Sequence, residues 1–309
     1  MIPSRFGMME LDRNAIQMRV DAIINLLAAV ALFFMMVGVG LGLSIWDLLR
    51  VARDWRLALR AGIANYLLVP AAAVGLIFLF QPKPMVAAGF LIAVICPGAP
   101  FAPVLTAIAK GSAATAVGVM AILAGSSAII APLLLRFLLP LVAGRGDLTI
   151  NPTKIITTLI MSQFLPLFLG LALHHAKPRL AERLKGLLNR FSSFLNLGLI
   201  TLILLAQFKM LQQIRLSGYL GMSMMVGATL FAGWLLGGPD SNQRKTMAIT
   251  TSTRNVGVAL VIVASSFPGT VVVTAVTAFA LFQIIAVVLV AVVWGRVSSG
   301  ARMATKAAN

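Results

Sequence analysis

The chain has 309 residues, of which 60% are hydrophobic and only 11% charged, with 25 Lys and Arg against 8 Asp and Glu and a formal net charge of +17. Soluble domains carry about 25% charged residues, whereas here apolar runs of about 20 residues, each long enough to cross a bilayer, recur along the whole length. The basic residues lie between those runs, where they orient a membrane protein; this excludes a soluble nucleic-acid-binding domain, and the absence of a polar-in alternation excludes an outer-membrane barrel.

In chain order, residues 1–21 form an N-terminal tail, of which residues 1–20 carry Arg5, Arg13 and Arg19 against Glu10 and Asp12. The tail does not read as a signal peptide, because the apolar run that follows, 22–44, is too long and lacks a small-residue cleavage site. "WDLLRVARDWRLALR", residues 46–60, is amphipathic and carries four arginines, the pattern of an interfacial stretch. Further spans are expected at 61–80, 84–109, 112–142, 153–173, 193–211, 217–237, 243–267 and 270–295, nine in all with 22–44. Residues 177–190, "KPRLAERLKGLLNR", form a basic connector, expected as a surface helix, with His174 and His175 at its edge. Cys96 is the only cysteine, so no intrachain disulfide is possible, and it reads as a small core residue.

With nine spans, fifteen of the Lys and Arg residues fall on one side and nine on the other, Arg254 alone remaining in the membrane. The bias puts the C-terminus, including a tail at 298–309, in the cytoplasm and the N-terminus outside an inner (plasma) membrane. The third and eighth spans are interrupted, and each sits third in a run of four: plain, plain, interrupted, long. Spans one to four, residues 22–142, and six to nine, residues 193–297, thus form two repeats separated by the fifth span and connector, residues 143–192. An offset of five spans inverts the second repeat, a common plan of transporters.

The first interruption is "CPGAPFAPVLTAIAKG", residues 96–111, where Pro97, Pro100 and Pro103 fall within seven residues together with Gly98. Each proline removes an N–H and clashes with the preceding turn, so a regular helix cannot continue. The second is "ITTSTRNVGVAL", residues 249–260. Thr250, Thr251, Ser252 and Thr253 compete with the helix for backbone hydrogen bonds, and Gly257 adds freedom. Irregular backbone at membrane depth survives only where protein or a wet cavity satisfies it.

Arg254 lies in this second break, at a cost of at least about 2.5–3.5 kcal/mol for a central arginine, and none of the acidic residues lies deep in a span. Two readings follow. The guanidinium either is tied to backbone carbonyls and holds the crossing helices together, or faces a cavity and binds an anion, for which its planar fork suits a carboxylate or phosphate.

At these stretches the chain resembles the bile acid–sodium symporter family. "PGAPFAPVLTAIAKG" is similar to that family's Pro-Gly-Gly…Ser-Asn…Ala-Lys-Gly crossover and "TTSTRNVGVAL" to its Glu-Thr-Gly…Gln-Asn…Leu-Ala crossover. The resemblance runs over residues 22–297 and implies a core domain with two broken, crossing helices beside a panel of spans one, five and six. It also implies that the positions holding sodium in relatives are Ala102, Pro103, Ala116, Met120, Thr250 and Arg254 here, with Asn255 kept. Nearly every side-chain ligand is gone, the carboxylate with them, and a fixed positive charge repels a cation.

The expectation is therefore an all-α polytopic membrane protein that carries a small or amphipathic organic anion by alternating access without the family's sodium sites. Arg254, Asn255, Thr253, Pro97, Gly98, Pro100 and Thr106 are the candidate substrate contacts. The alternatives are a sodium-coupled, bile acid-like symporter whose ions bind backbone oxygens and the hydroxyls of Thr106, Thr250 and Ser252, and a non-transporting receptor or channel on the same fold. No cofactor, metal or obligate protein partner is expected, only the organic anion and the bilayer. No nucleophile–base–acid set and no nucleotide motif suggests an enzyme.

Overall fold

The computed structural model describes residues 23, 26–27, 29–44, 46, 53–143, 157, 160–212, 214–267 and 270–308. The N-terminal tail, most of the amphipathic stretch before residue 53 and residues 144–156, where the expected fifth span begins, lie outside the described residues. Every regular element among those described is helical. Five helices are long and apolar enough to cross a membrane: Trp55–Phe80, Ala113–Val142, Leu216–Leu236, Ser241–Val263 and Val271–Ser298. Large apolar side chains stand exposed along them, among them Leu67, Phe137, Phe231 and Leu289, as a hydrocarbon solvent allows and water does not. The protein is an integral membrane protein.

Helix α1 spans Ala29–Leu41. Helix α2, Trp55–Phe80, starts where the Asp54 carboxylate accepts the Leu57 N–H at 3.1 Å, so residues 55–60 of the amphipathic stretch are its first turns. It ends at Gln81, whose φ of 45° is left-handed, and Pro84 then opens α3, Pro84–Ile95. After α4, Ala102–Ile108, comes the long α5, Ala113–Ala143, which runs through Pro132 and Pro140. Helix α6, Ile160–Ala176, is followed by α7, Pro178–Gln212. The expected surface connector and sixth span are thus one continuous helix, because charge changes a helix's solvent and not its backbone. Then come α8, Leu216–Leu236, α9, Ser241–Ser252, α10, Val256–Ser266, and α11, Val271–Ala308, which carries the expected C-terminal tail as helix to residue 308.

Two helices contain a π-turn. In α2 it covers Ala64–Leu68, and in α6 Ile160–Phe164. Each ends two residues before a proline, Pro70 and Pro166. A proline inside a helix pushes on the carbonyl four residues earlier, and a widened turn relieves that push. In α2 the extra residue turns both Asn65 and Tyr66 into the protein. Asn65 is fully buried, and the Tyr66 hydroxyl donates to Leu123 O at 3.0 Å and shares a 2.7 Å hydrogen bond with Ser126 Oγ.

The main core lies between α2, α3, α5, α8, α10 and α11, where Leu91, Ile92, Val276 and Phe279 are shut from solvent and Phe90 meets Phe279 edge-on at 5.2 Å. Helix α1 packs against α6 and α7. Gly40 and Gly170 face each other so closely that a Cβ on either would strike the other helix's backbone. Phe34 meets Phe191 at 5.0 Å, and His174 Nδ1 lies 2.8 Å from Leu41 O. In a bilayer, where lipid is as apolar as leucine, such close backbone approach is a principal source of helix association.

Gly170→Ala therefore forces α1 from α6, and we expect a loss of about 1–3 kcal/mol, read as a lower unfolding midpoint in detergent. Gly75→Ala, whose Cβ meets nothing within 4 Å, is the control and should be neutral or stabilising.

Candidate functional site

Both interruptions read in the sequence are present, and they touch. Helix α3 stops at Ile95 and α4 starts at Ala102. Gly98 adopts a φ of +84° and sits against the backbone of Ala124 in α5, where a Cβ would come within 2.8 Å of its Cα. Only glycine meets both demands. Helix α9 stops at Ser252, and α10 starts at Val256 with Asn255 as its cap, its Oδ1 accepting the Val258 N–H at 3.2 Å.

Asn255 also joins the two breaks. Its backbone N–H donates to Cys96 O at 2.7 Å and its Nδ2 to Gly98 O at 3.3 Å. The backbone of Arg254 is satisfied by a side chain: its N–H donates to Gln283 Oε1 at 3.2 Å, and Gln283 Nε2 donates to its carbonyl at 3.3 Å. Gln283, on α11 and completely buried, thus takes the part of a missing helical turn. In hydrocarbon an unmet backbone group costs several kcal/mol, so this amide is what allows α9 to stop where it does.

The Arg254 side chain is buried, with only 1% of its surface exposed. Nη1 donates to Val94 O at 3.3 Å, and Nη2 donates to Asn65 Oδ1 at 2.9 Å and to the Thr251 carbonyl. Asn65 is itself held, its Nδ2 donating to Ala61 O at 2.9 Å and Thr251 Oγ1 at 3.3 Å. The guanidinium therefore ties α2, α3 and α9 together. Its Nε, also buried, has no hydrogen-bond partner. Of the described carboxylates, Asp54 and Asp240 cap helices and Glu182 faces Lys185 at 3.9 Å; none of these contacts reaches Arg254.

The other candidate residues gather around the same junction. Pro97, Gly98 and Thr253 are buried and Pro100 is half-buried. Thr253 Oγ1 donates to Ile249 O at 2.6 Å, and Thr106 Oγ1 to Ala102 O at 2.8 Å. Of the positions that the resemblance sets against sodium-holding ones, Ala102, Ala116, Met120 and Thr250 are buried and Pro103 is half-buried, and Thr250 Oγ1 donates to Thr246 O at 2.8 Å. Cys96 is buried in the first break, with its Sγ donating to Ile92 O at 3.2 Å. Among the described residues no group of three or more His, Cys, Asp or Glu could hold a metal ion.

Residues 29–214 match the Sodium Bile acid symporter family. The chain belongs to that family. The match contains the first break and ends before the second, so the assignment of Arg254 rests on the residues around it. The chain is also 30% identical over 137 residues to an uncharacterized sodium-dependent transporter, YocS, of Bacillus subtilis (strain 168). The aligned part is 44% of this chain and spans only 41% of that relative's length.

Asn65 and Gln283 were missed by the sequence reading. Each is a carboxamide inside a strongly apolar run, "GIANYLLV" and "ALFQIIAV". A polar side chain at that depth, in a chain with an unpaired intramembrane arginine, is the only trace of them in the sequence, and it does not say which of them meets Arg254.

Asn65→Leu leaves Arg254 with one acceptor fewer. Hydrogen bonds to buried charged groups contribute about 1.5–3 kcal/mol, so a loss of that size is expected. Thermal unfolding in detergent measures it, and an unchanged midpoint would mean that the Asn65–Arg254 contact carries no weight.

Proposed function

We propose that the protein is a secondary membrane carrier of a small or amphipathic organic anion, working by alternating access and without the sodium sites of its relatives. The observation that carries this reading is the uncompensated charge of Arg254 at the meeting point of two broken helices. Three of its N–H directions end on protein oxygens, none of them anionic, and Nε ends on nothing. A cation held by neutral dipoles keeps its long-range field, which attracts an anion in a site of low dielectric. Both readings of Arg254 then operate together: the fork fixes the junction, and the charge with Nε faces the cargo. Thr253, Asn255, Pro97, Gly98, Pro100 and Thr106 surround that point and are proposed as the remaining contacts.

The same charge argues against a sodium ion at this place. Hard cations need oxygen ligands, preferably one anionic, and Thr250 stands where the resemblance places a glutamate. The hydroxyls of Thr106, Thr250 and Ser252 already donate to carbonyls of their own helices. Their lone pairs remain the basis of the sodium-coupled alternative, which the name of the Bacillus relative favours. A carrier rather than an enzyme is consistent with the family.

Nine spans, arranged as two inverted repeats with a panel of spans one, five and six, complete the proposal. The close contacts of α1 with α6 and α7 support the panel, and the helix breaks at corresponding places support the repeat. The excess of basic residues on one side supports a cytoplasmic C-terminus in an inner membrane.

The test is a thermal-shift screen of purified protein against carboxylates and sulfonates, taurocholate among them, in sodium-free buffer. An anion that stabilises the wild type should bind Arg254→Gln roughly tenfold more weakly or worse, the loss of one charge-assisted contact, while Arg254→Lys retains part of the effect. Undiminished binding to Arg254→Gln would leave the arginine a purely structural role.

A further inference from the structure

A pair of arginines apart from Arg254 lies at one end of the molecule, where α2 begins and α8 passes into α9. The loop between the latter two turns on Gly238, with a φ of +87°. Arg244, from the first turns of α9, donates from Nε to Gly238 O at 2.6 Å, and its guanidinium lies 6.0 Å above the ring of Trp234. Arg60, from α2, reaches the same glycine: its Nη1 lies 2.9 Å from where a Cβ on Gly238 would stand. Both side chains are half-buried. The guanidinium of Arg60 makes no hydrogen bond and no ion pair with a described residue, and Arg244 spends one N–H on a carbonyl. The acid nearest in sequence, Asp240, accepts the Gln243 N–H at 2.9 Å and pairs with neither arginine.

Two guanidinium groups at one glycine, neither paired with a described carboxylate, are complementary to a phosphoryl group, which they can grip through several N–H donors at once. The surroundings decide what carries that phosphoryl group. Leu59, beside Arg60 on α2, and Phe231 and Leu235, in the last turns of α8 before Gly238, are 53%, 66% and 60% exposed. They belong to helices that span the membrane, so these faces meet acyl chains. A ligand that satisfies both features has a negative head and apolar tails.

We propose that Arg60 and Arg244 form a headgroup site for an anionic phospholipid at this end of the helix bundle. The lipid bridges α2 to the α8–α9 loop. Since α9 carries the second helix break and α2 carries Asn65, the site stands at the outer end of both helices that meet at Arg254. This assignment is independent of the substrate and of the coupling.

The experiment uses the full chain in a neutral detergent, with short-chain phosphatidylglycerol, short-chain phosphatidylcholine and inorganic phosphate as three probes. Native mass spectrometry counts retained lipid and thermal unfolding reads stabilisation. Phosphatidylglycerol should be retained and should stabilise the wild type beyond phosphatidylcholine. Arg60→Gln should bind it about fivefold more weakly, as expected for the loss of one basic residue at a membrane surface, and Arg60→Gln/Arg244→Gln should lose the preference. The Arg60 guanidinium has no hydrogen-bond or ion-pair partner among the described residues, so its single variant remains decisive if the double variant fails to fold. Three results would each overturn the proposal: equal effects of the two lipids, equal stabilisation by inorganic phosphate, or unchanged phosphatidylglycerol binding in Arg60→Gln.

Discussion

The structure depends on one constraint: backbone polar groups cannot be left unmet in hydrocarbon, and this chain interrupts two helices there. Three side chains discharge the obligation. Asn255 caps α10 and reaches Cys96 O and Gly98 O of the other break. Gln283 matches the N–H and carbonyl of Arg254. Arg254 takes up carbonyls of Val94 and Thr251 and the Asn65 amide. Remove this set and neither break is tolerable; keep it and the two breaks are hydrogen-bonded directly to each other.

The chemistry of the junction follows from what was used to build it. Carbonyls, amides and hydroxyls are neutral, so the guanidinium brings a full charge that nothing described cancels. A bound cation would have satisfied similar oxygens, with the difference that it comes and goes. A tethered guanidinium stays. That difference, between an exchangeable and a permanent positive charge, is the physical content of the proposed departure from sodium coupling. It also explains why the π-turn of α2 matters: it brings Asn65 around to face Arg254, linking the junction to a helix that carries no break of its own.

Much of this was legible in the sequence, for identifiable reasons. Three prolines in seven residues forbid a helix whatever surrounds them, and a run of four hydroxyl residues before an unpaired arginine is costly enough to demand explanation. Hydropathy located the five described helices that are long and apolar enough to cross a membrane but placed some ends wrongly, because charge marks a change of solvent and not the end of a helix; α7 and α11 continue through their basic segments. The partners of Arg254 were not legible. Asn65 lies 189 residues before it and Gln283 29 residues after, and a single amide in an apolar run resembles a tolerated impurity until the packing is known. The π-turns were equally hidden, since one inserted residue shifts a helical period too little to be seen against Leu, Ala and Val on every side.

The central claim is that the permanent charge of Arg254 replaces a coupling ion. Its most direct test is uptake by proteoliposomes of an organic anion that stabilises the purified protein, with external sodium or with equimolar choline. The account predicts equal initial rates in the two salts at every sodium concentration. A rate that collapses in choline and rises steeply with sodium would contradict it.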